Sequence, residues 1–67
     1  MDQDSRALIR ELFAASTVEA EAAAEIATNG QDEKRKGTEY RALAEKLRSR
    51  AQAVAALCEA IMVLTRR

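Results

Sequence analysis

The sequence predicts an all-α fold: an antiparallel two-helix hairpin with a coiled-coil-like, alanine-rich seam, dimerising into a four-helix bundle. Three observations lead there. The first is composition. Of 67 residues 48% are hydrophobic, many of them alanine, with no proline and with Phe13 and Tyr40 as the only aromatics. Alanine is the strongest helix former and proline the weakest, and few aromatic or β-branched residues argue against a sheet. The second is charge. Residues 1–33 carry two basic and eight acidic groups and residues 34–67 nine basic and three acidic, so a net charge of zero conceals halves of −6 and +6. Oppositely charged helices pair well when the chain folds back or meets a copy in antiparallel fashion, whereas like segments repel. The third is periodicity: Tyr40, Leu47, Val54 and Ile61 recur every seven residues, the spacing of a helix seam.

The first helix is expected over about 5–28. Asp4 or Ser5 can cap it, and acidic residues near its start suit the helix dipole. Asn29 and Gly30 form the stop, since both tolerate the left-handed conformation that ends many helices. The polar stretch from Gln31 to Gly37 reads as the connection. Thr38 is a plausible cap for the second helix, expected over about 38–65. That helix could instead start at Asp32 and absorb Gly37 at a cost of about 1 kcal/mol. The whole chain, residues 1–67, is one helical-hairpin domain.

Each helix shows two apolar stripes. On the second helix, Tyr40, Leu47, Val54 and Ile61 combine with Ala44, Ala51, Cys58 and Thr65 into a seam of alternating larger and smaller residues. On the first, the matching series is Ile9, Phe13, Ser16, Ala20, Ala23 and Ala27. Beside these run Leu8, Leu12, Ala15, Glu19, Ala22 and Ile26 on the first helix, and Leu43, Leu47, Arg50, Val54, Leu57, Ile61 and Leu64 on the second. A hairpin covers one seam per helix, so the second stripes call for another layer. Two hairpins about a two-fold axis supply it most economically, and one hairpin docked on a different protein is the alternative. Size points the same way: a chain this short buries only roughly 60% of its unfolded surface and usually needs a disulfide, a metal or a partner. With one cysteine and no histidine, a partner is what remains.

Antiparallel partners across the connection are expected to have residue numbers adding to about 67. Glu19 and Arg50 each interrupt a second stripe at a similar level and are expected to pair, with Arg48 as the competitor for Glu19. The alternative is that both lie at the seam edge and reach solvent along their stems.

The candidate sites are few. Cys58 reads as a small core hydrophobe, having neither a second cysteine nor a histidine to activate it. Lys34, Arg41 and Arg48 could contact phosphates, although the acidic helix alongside and the absence of interleaved aromatics favour a solvated face. Glu21 and Glu25 stand four residues apart on an acidic outer face. Without histidine companions they suit a docking surface for a basic partner better than metal or acid–base chemistry. From Ala53 to Leu64 only Glu59 is charged, and this strip could receive a partner's amphipathic helix. Leu57, Ile61, Val63 and Leu64 would anchor it, joined by Leu8 and Leu12. No nucleophile–base pair, phosphate loop or metal set is present, so no enzyme, cofactor or metal is expected. The start MDQDSR has no basic region leading into an apolar one, and the apolar strip is too short to span a bilayer. A cytoplasmic chain that does not enter membranes is the expectation.

Tyr40 and the Ala/Leu seam that follows it resemble the layout of several families of very small helical hairpins. These are the plasmid copy-number RNA-binding hairpin dimers, the small co-chaperones of the type III secretion needle and the quorum-sensing antiactivators. The resemblance implies a class, small hairpins that act by binding, and carries no functional residue across. The leading expectation is a non-enzymatic protein-binding module of chaperone, inhibitor or antiactivator type. Its partner would be itself, as a homodimer, or a protein bearing an amphipathic helix. The alternatives are a nucleic-acid-binding dimer using the basic face, and a structural subunit of a larger assembly.

Overall fold

The computed structural model describes residues 2–66. It consists of two α-helices, α1 (Gln3–Asn29) and α2 (Gly37–Leu64), packed along their length as a hairpin, with no strand among the described residues. The rod measures 52 × 15 × 11 Å. It is therefore two helices wide and a single helix layer thick.

Asp2, not Asp4 or Ser5, caps α1. Its backbone is extended, and its Oδ1 accepts the Ser5 N–H at 2.7 Å. That hydrogen bond from the Ser5 amide holds the Asp2 carboxyl below its ordinary value of 3.8. Asp4 is left as the acidic residue of the first turn, where a negative charge meets the positive end of the helix dipole.

The other end of α1 also departs from expectation. Gly30 is right-handed, with φ −70° and ψ −10°, and the described residues contain no positive φ. The physical reason lies in where the last four carbonyls of α1 find partners. Gly30 N–H donates to Ile26 O at 3.0 Å and Gln31 N–H to Thr28 O at 3.1 Å. The Gln31 side-chain amide reaches Ala27 O at 3.5 Å, and Arg35 Nε donates to Asn29 O at 3.0 Å. These groups, orphaned at any helix end, are satisfied here by the connection itself, so no left-handed turn is required.

The connection is tied at both sides. Asp32 Oδ1 accepts the Lys34 N–H at 3.0 Å, and the Tyr40 hydroxyl donates to Asp32 O. Arg35 adds an ion pair with Glu39 at 3.5 Å. Helix α2 then starts at Gly37 after an extended Lys36 that offers no side-chain cap, and Thr38 lies inside the helix.

The intramolecular seam is narrower than the stripes suggested. On α1 the partly covered positions are Ser5, Ile9, Leu12, Ser16, Glu19, Ala22, Ala23 and Ile26, followed by Gly30 just past its end; on α2 they are Tyr40, Leu43, Leu47, Ala53, Val54, Leu57, Ala60, Ile61 and Leu64. The expected seam members Phe13, Ala20, Ala27, Ala44, Ala51, Cys58 and Thr65 are all exposed. One neighbouring helix covers two main rows, and a third only at Ala22, Ala53 and Ala60. Those containing Leu12, Ile26, Leu43, Leu57 and Leu64 bury more apolar surface than the alanine rows do.

Candidate functional site

The seam is interrupted at one level by charge. Arg50 Nη1 donates to Glu19 Oε2 at 2.9 Å, with the Arg50 side chain 45% and the Glu19 side chain 26% exposed. This is the one ion pair among the described residues that bridges the helices; the others, Arg35–Glu39 and Arg41–Glu45, join residues four apart. Arg48 remains exposed on the outer side of α2. The pair also gives the register, since 19 and 50 add to 69, two more than the connection length suggested. In this register Leu12 stands level with Leu57, and Ile26 with Leu43. Ser16, the other polar residue near mid-seam, donates to the Leu12 carbonyl of its own helix at 3.0 Å and leaves no unsatisfied group.

The six residues expected to bind a partner divide into two sets. Leu12, Leu57, Ile61 and Leu64 are half-buried and hold the hairpin together; Leu8 and Val63 are exposed, at 43% and 57%. Among the described residues the other exposed large hydrophobic ones are Phe13, Val18 and Met62. In this register Leu8, Phe13, Met62 and Val63 lie in the half of the rod away from the connection, and Val18 lies near its middle. Val18 and Met62 were not singled out by the sequence patterns. The signal was available in Val18, a β-branched residue lying off both stripes of an alanine-rich helix.

Two surfaces emerge from the exposure pattern. On one side, Leu8 and Val18 of α1 flank the seam together with Val63 of α2, and Glu11 and Glu25 lie along the same edge of α1. On the other side, Phe13, Ala20, Ala27, Ala44, Ala51 and Cys58 form an uncovered strip. Arg41 and Arg48 line a shallow groove with Ala44 and Glu45, and Arg41 Nε is engaged by Glu45 Oε1 at 3.2 Å. Lys34 lies apart from them, in the connection. Among the described residues no three His, Cys, Asp or Glu side chains stand together as a metal site, and no helix is long and apolar enough to cross a membrane. No protein-family model, curated protein or solved structure matches this chain.

Proposed function

We propose that this hairpin is a non-enzymatic protein-binding module that acts through apolar surface it cannot cover by itself. The observation that carries the reading is exposure. None of the described residues is buried. The chain exposes 5441 Å², against about 4,200 Å² for a compact monomer of this mass. A chain that stops folding at a single layer leaves surplus surface, Leu8, Phe13, Val18, Met62 and Val63 included, for another molecule.

The partner surface is the side bearing Leu8, Val18 and Val63, over the half-buried Leu12, Leu57 and Leu64. Its chemistry suits an amphipathic helix whose apolar stripe is bordered by basic residues, because Glu11 and Glu25 run along that edge of α1. Substituting Leu57 or Leu64 would unfold the seam and report nothing about binding, so the informative positions are the exposed ones. Leu8→Asp with Val63→Asp is expected to leave the helical circular dichroism signal intact and to abolish capture of the partner from an extract. Unchanged capture by the folded double variant would refute the assignment of this side.

A second reading is nucleic-acid binding, favoured by Arg41 and Arg48 lining one groove. Phosphate contacts would make affinity fall steeply with salt. Retardation of mixed nucleic acid at low salt, lost on Arg41→Gln with Arg48→Gln, would support it.

A further inference from the structure

We propose that the uncovered alanine-rich face is occupied by a second copy of this chain, related by a two-fold axis along the rod. α1 of each copy, at −3 over Gln3–Asn29, then stacks on α2 of the other, at +1 over Gly37–Leu64. The proposal rests on the binding-module reading but concerns the opposite side of the hairpin from Leu8 and Val63.

The face is defined by what the seam leaves out. One step round from the seam, on this side, stand Arg6, Phe13, Ala20 and Ala27 of α1 and Ala44, Ala51, Cys58 and Thr65 of α2, all exposed. At the equivalent step on the other side Ala22, Ala53 and Ala60 are partly covered. Coverage on that side is partial, since Leu8, Ala15, Glu39 and Lys46 in the same rows are exposed, but on the present side no residue at this step is covered. Grooves that cross it join residues of both helices into one surface: Arg6, Ile9 and Phe13 with Thr65 at one end, Ala27 and Gly30 with Ala44 at the other. A row of alanines lets a second helix layer approach closely, and Phe13 lies level with the small Cys58 of a facing α2, a bulky group against a small one.

Area and charge identify the occupant. The surplus of about 1,200 Å² over a compact monomer belongs to the whole rod, both faces together, and exceeds the about 800 Å² that each partner contributes to a standard interface. A slab only 11 Å thick becomes a square four-helix bundle when one copy is laid on it. Two in-plane axes would make such a pair. The axis across the rod sets α1 on α1 and α2 on α2, so that −3 faces −3 and +1 faces +1. The axis along the rod sets α1 on α2, keeps both connections at one end, and keeps every level aligned. Positions that face each other between copies then also have numbers adding to about 69, the register read from the Glu19–Arg50 pair. At the flanks this brings Glu21 opposite Arg48 of the second copy and Arg10 opposite Glu59. All four are exposed, and none makes an ion pair within the chain among the described residues. Glu21 and Arg48 lie on remote sides of one hairpin, so a contact between them is intermolecular.

The test is the mass of the purified chain by light scattering over a hundredfold range of concentration, with charge-swapped variants. The expected result is twice 7.4 kDa for the native chain. Glu21→Arg and Arg48→Glu should each raise the dimer dissociation constant at least tenfold, and the double swap should restore it. Helical circular dichroism checks that each variant is folded. A native chain that stays monomeric, or one that dimerises without rescue in the double swap, overturns the proposal. Either result leaves the Leu8 and Val63 side untouched, and its capture experiment can be run on the monomeric variant.

Discussion

Asp2 and Lys36 occupy the same position before the two helices and do opposite things there. Asp2 supplies an oxygen to an N–H that would otherwise lack a partner; Lys36 supplies none. The sign of the Asp2 contribution follows from its lowered carboxyl. It is present above the ordinary value of 3.8 and is lost as pH falls through the lower folded one. Lys36 leaves the start of α2 held by Glu39 and Tyr40 N–H groups on its carbonyl, at 3.0 and 3.1 Å, and by the Tyr40 tether to Asp32. An acceptor at position 36 would satisfy the free N–H groups of the first turn and place a negative charge at the dipole's positive end. Lys36→Asp is therefore expected to stabilise the chain by about 1 kcal/mol. For a domain of this size that is a rise of about 4–8 °C in Tm, read from melts at fixed protein concentration. No rise would mean that the tether already fixes this turn as well as a cap would.

At the scale of the helices, the hairpin and its antiparallel sense were legible in the sequence, because the charge halves and the seven-residue period act on whole segments. Which stripe faced inward was not. The row of Tyr40, Leu47, Val54 and Ile61 can pair with the residues three ahead or with those four ahead, and both sets are mostly apolar, the first interrupted by Arg50 and the second ending in Thr65. The choice between Leu57 and Cys58 as seam members is made by packing area against the particular partner helix, a quantity that exists only once the two helices meet. For the same reason the candidate site was only half readable: Leu57, Ile61 and Leu64 looked like a free strip because their partner, α1, lies far away in the chain. Glu19 and Arg50 carry the register. A slip of one heptad would set Glu19 against Leu43 or Leu57 and strand a charge among apolar groups. Their direct coupling is nevertheless small, since both are substantially solvated. A double-mutant cycle with Glu19→Gln and Arg50→Gln is expected to give about 0.2–1 kcal/mol. A coupling near zero would assign register to the leucines alone.

For the molecule as a whole, the question is how two halves of −6 and +6 attract each other when a single ion pair joins the helices among the described residues. Much of that separation sits outside the helices, in Asp32–Lys36 and after α2, leaving α1 at −3 and α2 at +1, so the attraction must act as a field between charges that never touch. Packed helices lie about 8–10 Å apart. That is close to the Debye length of about 10 Å at 0.1 M salt and well beyond the about 3 Å at 1 M. The field is thus felt at low ionic strength and erased at high. Raising sodium chloride from 0.02 to 1 M, at fixed protein concentration, is expected to lower Tm by several degrees, about 1 kcal/mol on the same scale. The Glu19→Gln/Arg50→Gln variant separates field from contact. If the attraction is diffuse, removing one pair leaves −5 against +5 and most of the salt dependence survives. If it is concentrated in that pair, the variant's melting curve becomes flat with salt. A native chain whose Tm does not fall at all would show that apolar packing alone holds the hairpin closed.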